Sequence, residues 1–327
     1  MSESNKRNFI VHGSILAIAG ILVRIIGMLY RIPVVNIIGS EGNGIYGAAF
    51  NIYNIMLVLS SYGLPMAVSK LVSARFTKRR YKSAAKVLRC SLMVAVCTGG
   101  IAALLVFFGA SFIENVIYGG GLPGLAIPLR ILAPTIFLVA ILGVIRGFFQ
   151  GQSTMIPTAV SQILEQIVNA IVSIAAGYGM MKAFASSPDV AAYGAAGSTL
   201  GTAMGALTAV LFMGFLYAVY TPTFNRLKRK DRHTENQSTG QICKIIIYTM
   251  IPIILGQTFY QISALIDDVM FSNIMVGRDI TKSISMDLGN FSSSYSLLIG
   301  IPQGVASAMS ASMLPSVVAS FTDLSLI

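Results

Sequence analysis

Two arginines set the first chemical question. Arg24 and Arg31 lie in GSILAIAGILVRIIGMLYRIPVV, residues 13–35, a stretch otherwise long and apolar enough to cross a bilayer. Residues seven apart on a helix share one face, here about 10 Å apart along the axis. A guanidinium suits phosphate oxygens because its planar fork donates two parallel hydrogen bonds. A charge at the bilayer centre costs about 2.5–3.5 kcal/mol on insertion scales, so Arg24 must be offset by something. One reading is a buried structural ion pair for Arg24, with Arg31 reaching to the headgroups. The sharper reading is that both face a water-filled cavity and bind an anion.

A polar stripe runs through residues 155–182. Gln162, Glu165, Gln166, Asn169 and Ser173 follow three- and four-residue steps and so share a helix face. Glu165 falls near mid-membrane and is the expected partner of Arg24. That pair either locks two helices together or lines the cavity and changes partner as substrate, proton or cation binds. Gln162 and Asn169 join Glu165 as cavity candidates, with Asn51 from an earlier span. Further on, Asp268 shares a face with Gln257 and Gln261, and Asp267 lies beside it. These acids either balance the arginines or hold a cation, or are simply exposed at the outer end. Gly197, Gly201 and Gly205 step by four, which indicates close helix packing. No Ser/His/Asp set, phosphate loop or metal-ligand spacing occurs, so no catalytic activity, metal or cofactor is expected.

The elements that must hold these residues are membrane helices. The 327 residues are 55% apolar and 11% charged, against about 25% charged in soluble domains. Eight apolar spans run near 10–36, 45–73, 87–117, 125–149, 155–182, 194–221, 244–275 and 290–320. None shows strand-like alternation, so the expected fold is an all-α integral membrane bundle.

The net charge of +11 would point to nucleic acid in a soluble protein. Here no compact basic domain remains once the spans are removed, so nucleic acid is not an expected partner. Lys6, Arg7, the run RFTKRRYKSAAKVLR, Arg146 and the cluster from Arg226 to Lys244 fall on one side. Lys182, Arg278 and Lys282 fall on the other. This bias places the N-terminus in the cytoplasm of a multi-pass cytoplasmic-membrane protein. The basic loops are then expected to touch anionic lipids. Cys90, Cys97 and Cys243 form no metal spacing and read as packing residues.

An internal repeat divides the chain. A shift of 237 residues lays GLPMAVSKLVSA (63–74) over GIPQGVASAMSA (300–311), and the first span over the seventh. Gly63 and Pro65 coincide with Gly300 and Pro302, so both lobes carry a helix bend that can serve as a hinge. Residues 1–221 are expected to form a six-helix lobe, 222–243 a basic cytoplasmic linker, and 244–327 the first two helices of a second lobe. Repeats of this kind mark transporters, with the substrate path between the repeats. A two-lobe transporter needs more helices than eight, so the chain reads as a truncated product or fragment.

GMLYRIPVVNIIGSEGNGIYGAAFNIYNI, SSYGLPMAVSKLVSARF and RGFFQGQSTMIPTAVSQILEQ resemble the stage V sporulation protein B-like branch of the polysaccharide-biosynthesis flippases. That branch belongs to the MOP superfamily, with the MurJ-type lipid II flippases and the MATE exporters. The resemblance implies a V-shaped pair of six-helix lobes. It also implies movement of undecaprenyl-pyrophosphate-linked sugars, such as a peptidoglycan precursor, between leaflets by alternating access. By the same resemblance Arg24 and Arg31 would meet the pyrophosphate, at a spacing of seven where the relatives have six.

Two rivals stand beside the flippase. One is a drug or cation antiporter on the same fold, which would favour acids over arginines in the first-lobe cavity. The other is a nontransporting scaffold that recruits cell-wall synthesis proteins through the basic loops.

Overall fold

The computed structural model describes residues 3–232, 238–278 and 284–292, with backbone alone for 3–15, 17 and 260. The described residues fold as α-helices and short π-helical turns joined by tight connections, and no strand occurs among them.

The first element, α1, runs Glu3–Leu57 with a break at Gly39, whose φ of 70° is left-handed. Glycine alone adopts that angle without a Cβ penalty. The break joins two arms, so the first two expected spans form one element with a one-residue corner. Pro33 sits inside the first arm. A π-helical turn, Val58–Tyr62, follows, then Gly63, then α2 (Leu64–Thr77) with proline at its start. The interruption falls at the Gly63 and Pro65 bend read from the sequence. Gly63 is bare for a reason: a Cβ there would lie 3.0 Å from the Met250 Cβ.

Five more helices continue the bundle: α3 (Tyr81–Phe112), α4 (Ala126–Gly151), α5 (Ile156–Ala183), α6 (Val190–Lys230) and α7 (Thr239–Val276). A short α8 spans Ile284–Phe291. Among the described residues, six segments are long and apolar enough to cross a membrane, and the first, Ile18–Thr77, covers two of the expected crossings. The last expected span, near 290–320, lies mostly outside the described residues, as do Gly300 and Pro302.

Much of the expected linker at 222–243 is helical among the described residues. Helix α6 continues through Pro222 to Lys230, and α7 begins at Thr239 after a Ser238–Gln241 capping box. The extension of α6 is held by packing against its neighbours. Phe224 is fully buried, stacked on Phe76 at 6.1 Å and edge-on to Phe148 at 5.3 Å. Buried Asp231 then accepts the backbone N–H of Lys82 at 2.8 Å, tying the end of α6 to the start of α3.

Two apolar clusters stack along the bundle. One, toward the basic loops, gathers Leu64, Val68, Val87, Phe148 and Phe224 with Ile242, Ile246 and Met250 of α7. The other gathers Ile45, Tyr53, Leu122, Leu129 and Ile136 with Ile284 and Leu288 of α8. Many large apolar side chains outside these clusters are exposed, Phe108 and Phe259 to 76% and 78%. An apolar surface of that extent belongs in lipid, not in water.

Candidate functional site

Glycines set the helix spacing that places the polar groups. On α6, Gly197, Gly201 and Gly205 lie against the Ala176 carbonyl, Ser173 and the Glu165 carbonyl of α5. A side chain at any of the three would strike α5 backbone or Ser173, so the stripe read from the sequence is the α5–α6 seam. Gly147 plays the same part for α2, its missing Cβ lying 2.6 Å from the Pro65 carbonyl oxygen.

Within the α5–α6 seam the polar stripe is knitted into the protein. Asn169 is buried, and its amide donates to the Tyr30 hydroxyl of α1 at 3.3 Å. The Ser173 hydroxyl lies 2.9 Å from Asn169 Oδ1 and 2.8 Å from the Ser198 carbonyl. Asn169 therefore joins α1, α5 and α6, and its polar atoms face protein groups. Gln162 is half-buried farther toward the α4–α5 turn.

Glu165 does not take the expected partner. It pairs with Arg146 of α4 at 2.7 Å, and the Arg146 Nε donates to the Ser161 hydroxyl at 2.9 Å. The side chains are 14% and 27% exposed, so the pair sits mostly inside the protein. Both stand close to the short α4–α5 turn, where antiparallel helices bring such residues together. The charge pattern of the sequence places Arg146 on the side of the basic loops and does not disclose this pairing. The available signal was a basic and an acidic residue 19 apart across one tight turn.

Arg24 and Arg31 occupy the first arm of α1. Arg24 is exposed, on an arm whose neighbours Ile21, Leu22, Ile25 and Met28 are exposed too. Arg31 is half-buried and lies 5.6 Å over the ring of buried Tyr46, a cation–π contact across the Gly39 corner. Gly27, between them, lies where a Cβ would come within 3.1 Å of the Gln166 amide nitrogen. The α1 arm thus rests on the α5 polar stripe while carrying its arginines.

Asn51 and Asp268 meet. The Asn51 amide donates to the Asp268 carboxylate at 2.6 Å, joining the second arm of α1 to α7. Asp267 beside it is exposed. Asn43 donates to the Gly289 carbonyl at 3.0 Å, and Gly44 and Gly289 let α1 and α8 come into backbone contact. Ser272 and Asn273 of α7 donate to the carbonyls of Tyr118 and Ile117, each at 2.8 Å. Among the described residues, no group of three or more His, Cys, Asp or Glu is placed to hold a metal ion.

The chain has relatives. Residues 10–321 match the family model described as polysaccharide biosynthesis protein. The lipid II flippase MurJ of Bacillus subtilis is 28% identical over 94% of this chain and 57% of its own length. Stage V sporulation protein B of the same organism is 25% identical over 95% of this chain and 58% of its own length. The chain thus spans a little over half the length of these curated relatives. Among solved structures, a MATE protein in its straight conformation superposes with a TM-score of 0.64 at 16% identity, over 96% of this chain and 71% of that one. At that identity the likeness speaks for the fold, an all-α bundle of the MATE type.

Proposed function

The chain belongs to the polysaccharide biosynthesis protein family of the MOP superfamily, and on that premise we propose that it works as a membrane flippase for lipid-linked oligosaccharide. Its cargo would be an undecaprenyl-pyrophosphate-linked sugar such as a peptidoglycan precursor. It would move from the cytoplasmic to the outer leaflet of the cell membrane, with the N-terminus inside. The observation that carries this reading is the α1 arm. Two guanidinium groups, Arg24 and Arg31, stand on one face of a membrane-length apolar helix, and Arg24 is exposed. A pyrophosphate brings its own negative charge into the membrane and offsets the cost of keeping them there.

The chain's residues divide the work. Arg24 and Arg31 grip the pyrophosphate, and Tyr46 fixes the Arg31 guanidinium from behind. The Arg146–Glu165 pair and the Asn169 network keep α4, α5 and α6 rigid beneath α1. Alternation rocks the α1–α6 lobe against α7 and α8 about the bend at Gly63 and Pro65. Asp268, held by Asn51, sits across that boundary. The basic loops rest on anionic headgroups, and cell-wall synthesis proteins are the natural company of such a flippase.

The test is a pair of titrations on the purified protein, one with undecaprenyl pyrophosphate and one with a cationic dye. Saturable binding of the lipid that Arg24→Ala weakens about tenfold or more supports the reading, tenfold corresponding to one hydrogen bond between charged groups. Binding of the dye alone refutes it in favour of a drug antiporter.

A further inference from the structure

A cleft of about 370 Å³ opens between α2 and the α4–α5 turn, at the end of the bundle that carries the basic loops. Ser69, Lys70 and Ser73 line it from one face of α2, and Gln150 and Ser153 line it from the turn. Three hydroxyls and an amide thus surround one ammonium. No carboxylate lines the cleft, and Lys70 is exposed within it. Such a set is rich in donors and lacks a counter-charge, which is the composition of an anion site.

Ser153 adds an independent sign. Its φ is 61°, in the left-handed region. That conformation costs a non-glycine residue about 1–2 kcal/mol. A glycine would fill the turn more cheaply, so this serine brings its hydroxyl to the cleft lining at a backbone cost.

The position of the cleft identifies the anion. Lys70 precedes the end of α2 at Thr77 by about 10 Å of helix rise. The cleft therefore lies at the depth of lipid headgroups rather than at the bilayer centre. Met66, 59% exposed, borders it and offers an apolar edge for an acyl chain. No α1 residue lines the cleft, so it is separate from the Arg24 and Arg31 face. One ammonium also matches a single phosphate better than a pyrophosphate.

We propose that this cleft is a binding site for the phosphate of an anionic membrane phospholipid, held by Lys70 and by the hydroxyls of Ser69, Ser73 and Ser153. It rests on the membrane placement of the chain but not on the identity of the cargo. A lipid bound there would brace α2 against the α4–α5 turn, next to the bend at Gly63 and Pro65.

The experiment measures lipid retention by native mass spectrometry on the full chain titrated with phosphatidylglycerol, phosphatidylcholine or undecaprenyl pyrophosphate. Wild-type protein should retain phosphatidylglycerol over phosphatidylcholine. Lys70→Gln should weaken phosphatidylglycerol retention about tenfold, the size of one hydrogen bond to a charged group, and leave the other two lipids unchanged. Lys70→Arg should keep it. Ser153→Gly should weaken it while raising the melting temperature of the lipid-free protein. Equal phosphatidylglycerol retention by wild type and Lys70→Gln overturns the proposal. Loss of undecaprenyl pyrophosphate alone in Lys70→Gln also overturns it, since the cleft would then serve the cargo. Wild-type protein that holds phosphatidylglycerol through Lys70 but ignores undecaprenyl pyrophosphate would sink the flippase reading and leave this site standing.

Discussion

Arg146 and Arg24 are both arginines in apolar helices, and the protein treats them differently. Arg146 is spent: its guanidinium lies on Glu165 and Ser161 of the neighbouring helix, mostly out of contact with solvent or lipid. Arg24 is exposed, on an arm of α1 whose apolar neighbours are exposed as well. The difference separates a charge paired inside the scaffold from a charge on the exposed side of α1. Glu165 belongs to the first kind, and in the proposed reading the two α1 arginines are the residues that meet the pyrophosphate.

Changes to the scaffold charge should disturb stability most. Glu165→Leu strands the Arg146 charge and should cost about 2–3 kcal/mol, somewhat less than a fully buried pair because both side chains are partly exposed. A melting curve in detergent reads this loss, and adding Arg146→Met should recover most of it. If the single and double variants melt alike, the pair holds nothing. Next in size comes the α1–α7 contact. Asn51→Ala removes a donor from a carboxylate and should cost about 1.5 kcal/mol, seen as a lower denaturation midpoint. An unchanged midpoint would mean that Asp268 finds water or another donor at no cost. The smallest effect is in the α5–α6 seam. Ser173→Ala should cost about 1 kcal/mol, because the one hydroxyl proton that Asn169 Oδ1 and the Ser198 carbonyl share in a buried place is lost. A tolerated Gly201→Leu would contradict the seam more sharply, since that position faces Ser173 and the Asn169 carbonyl.

How much the sequence disclosed depended on the range of each interaction. The membrane-length helices among the described residues were legible, because length and apolarity are local properties. The Gly197, Gly201 and Gly205 stripe was legible too, because spacing alone specifies a packing face. The interruption at Gly63 and Pro65 followed from two residue types. The Gly39 corner was read as a loop, since a single left-handed residue needs so little chain that sequence spacing suggests a longer break. The continuation of α6 to Lys230 was hidden for another reason. Apolarity stops where the membrane stops, while the helix goes on because Phe224 is buried against Phe76 and Phe148. Pairings were least legible. Arg146 and Glu165 meet only once the rotation of α4 against α5 is set. Asn51 and Asp268 are separated by 217 residues, and no local pattern links them.

Arg24 is where the functional reading stands or falls. The most direct measurement is the rate at which a fluorescent undecaprenyl-pyrophosphate lipid crosses proteoliposome membranes containing wild-type protein or Arg24→Ala. Flipping should fall at least about tenfold, the loss expected for one charge-assisted contact to the phosphate. Membrane insertion should stay at the wild-type level or rise, because removing a charge from an apolar span eases insertion. Wild-type flipping by Arg24→Ala would contradict the assignment of the α1 face to the cargo.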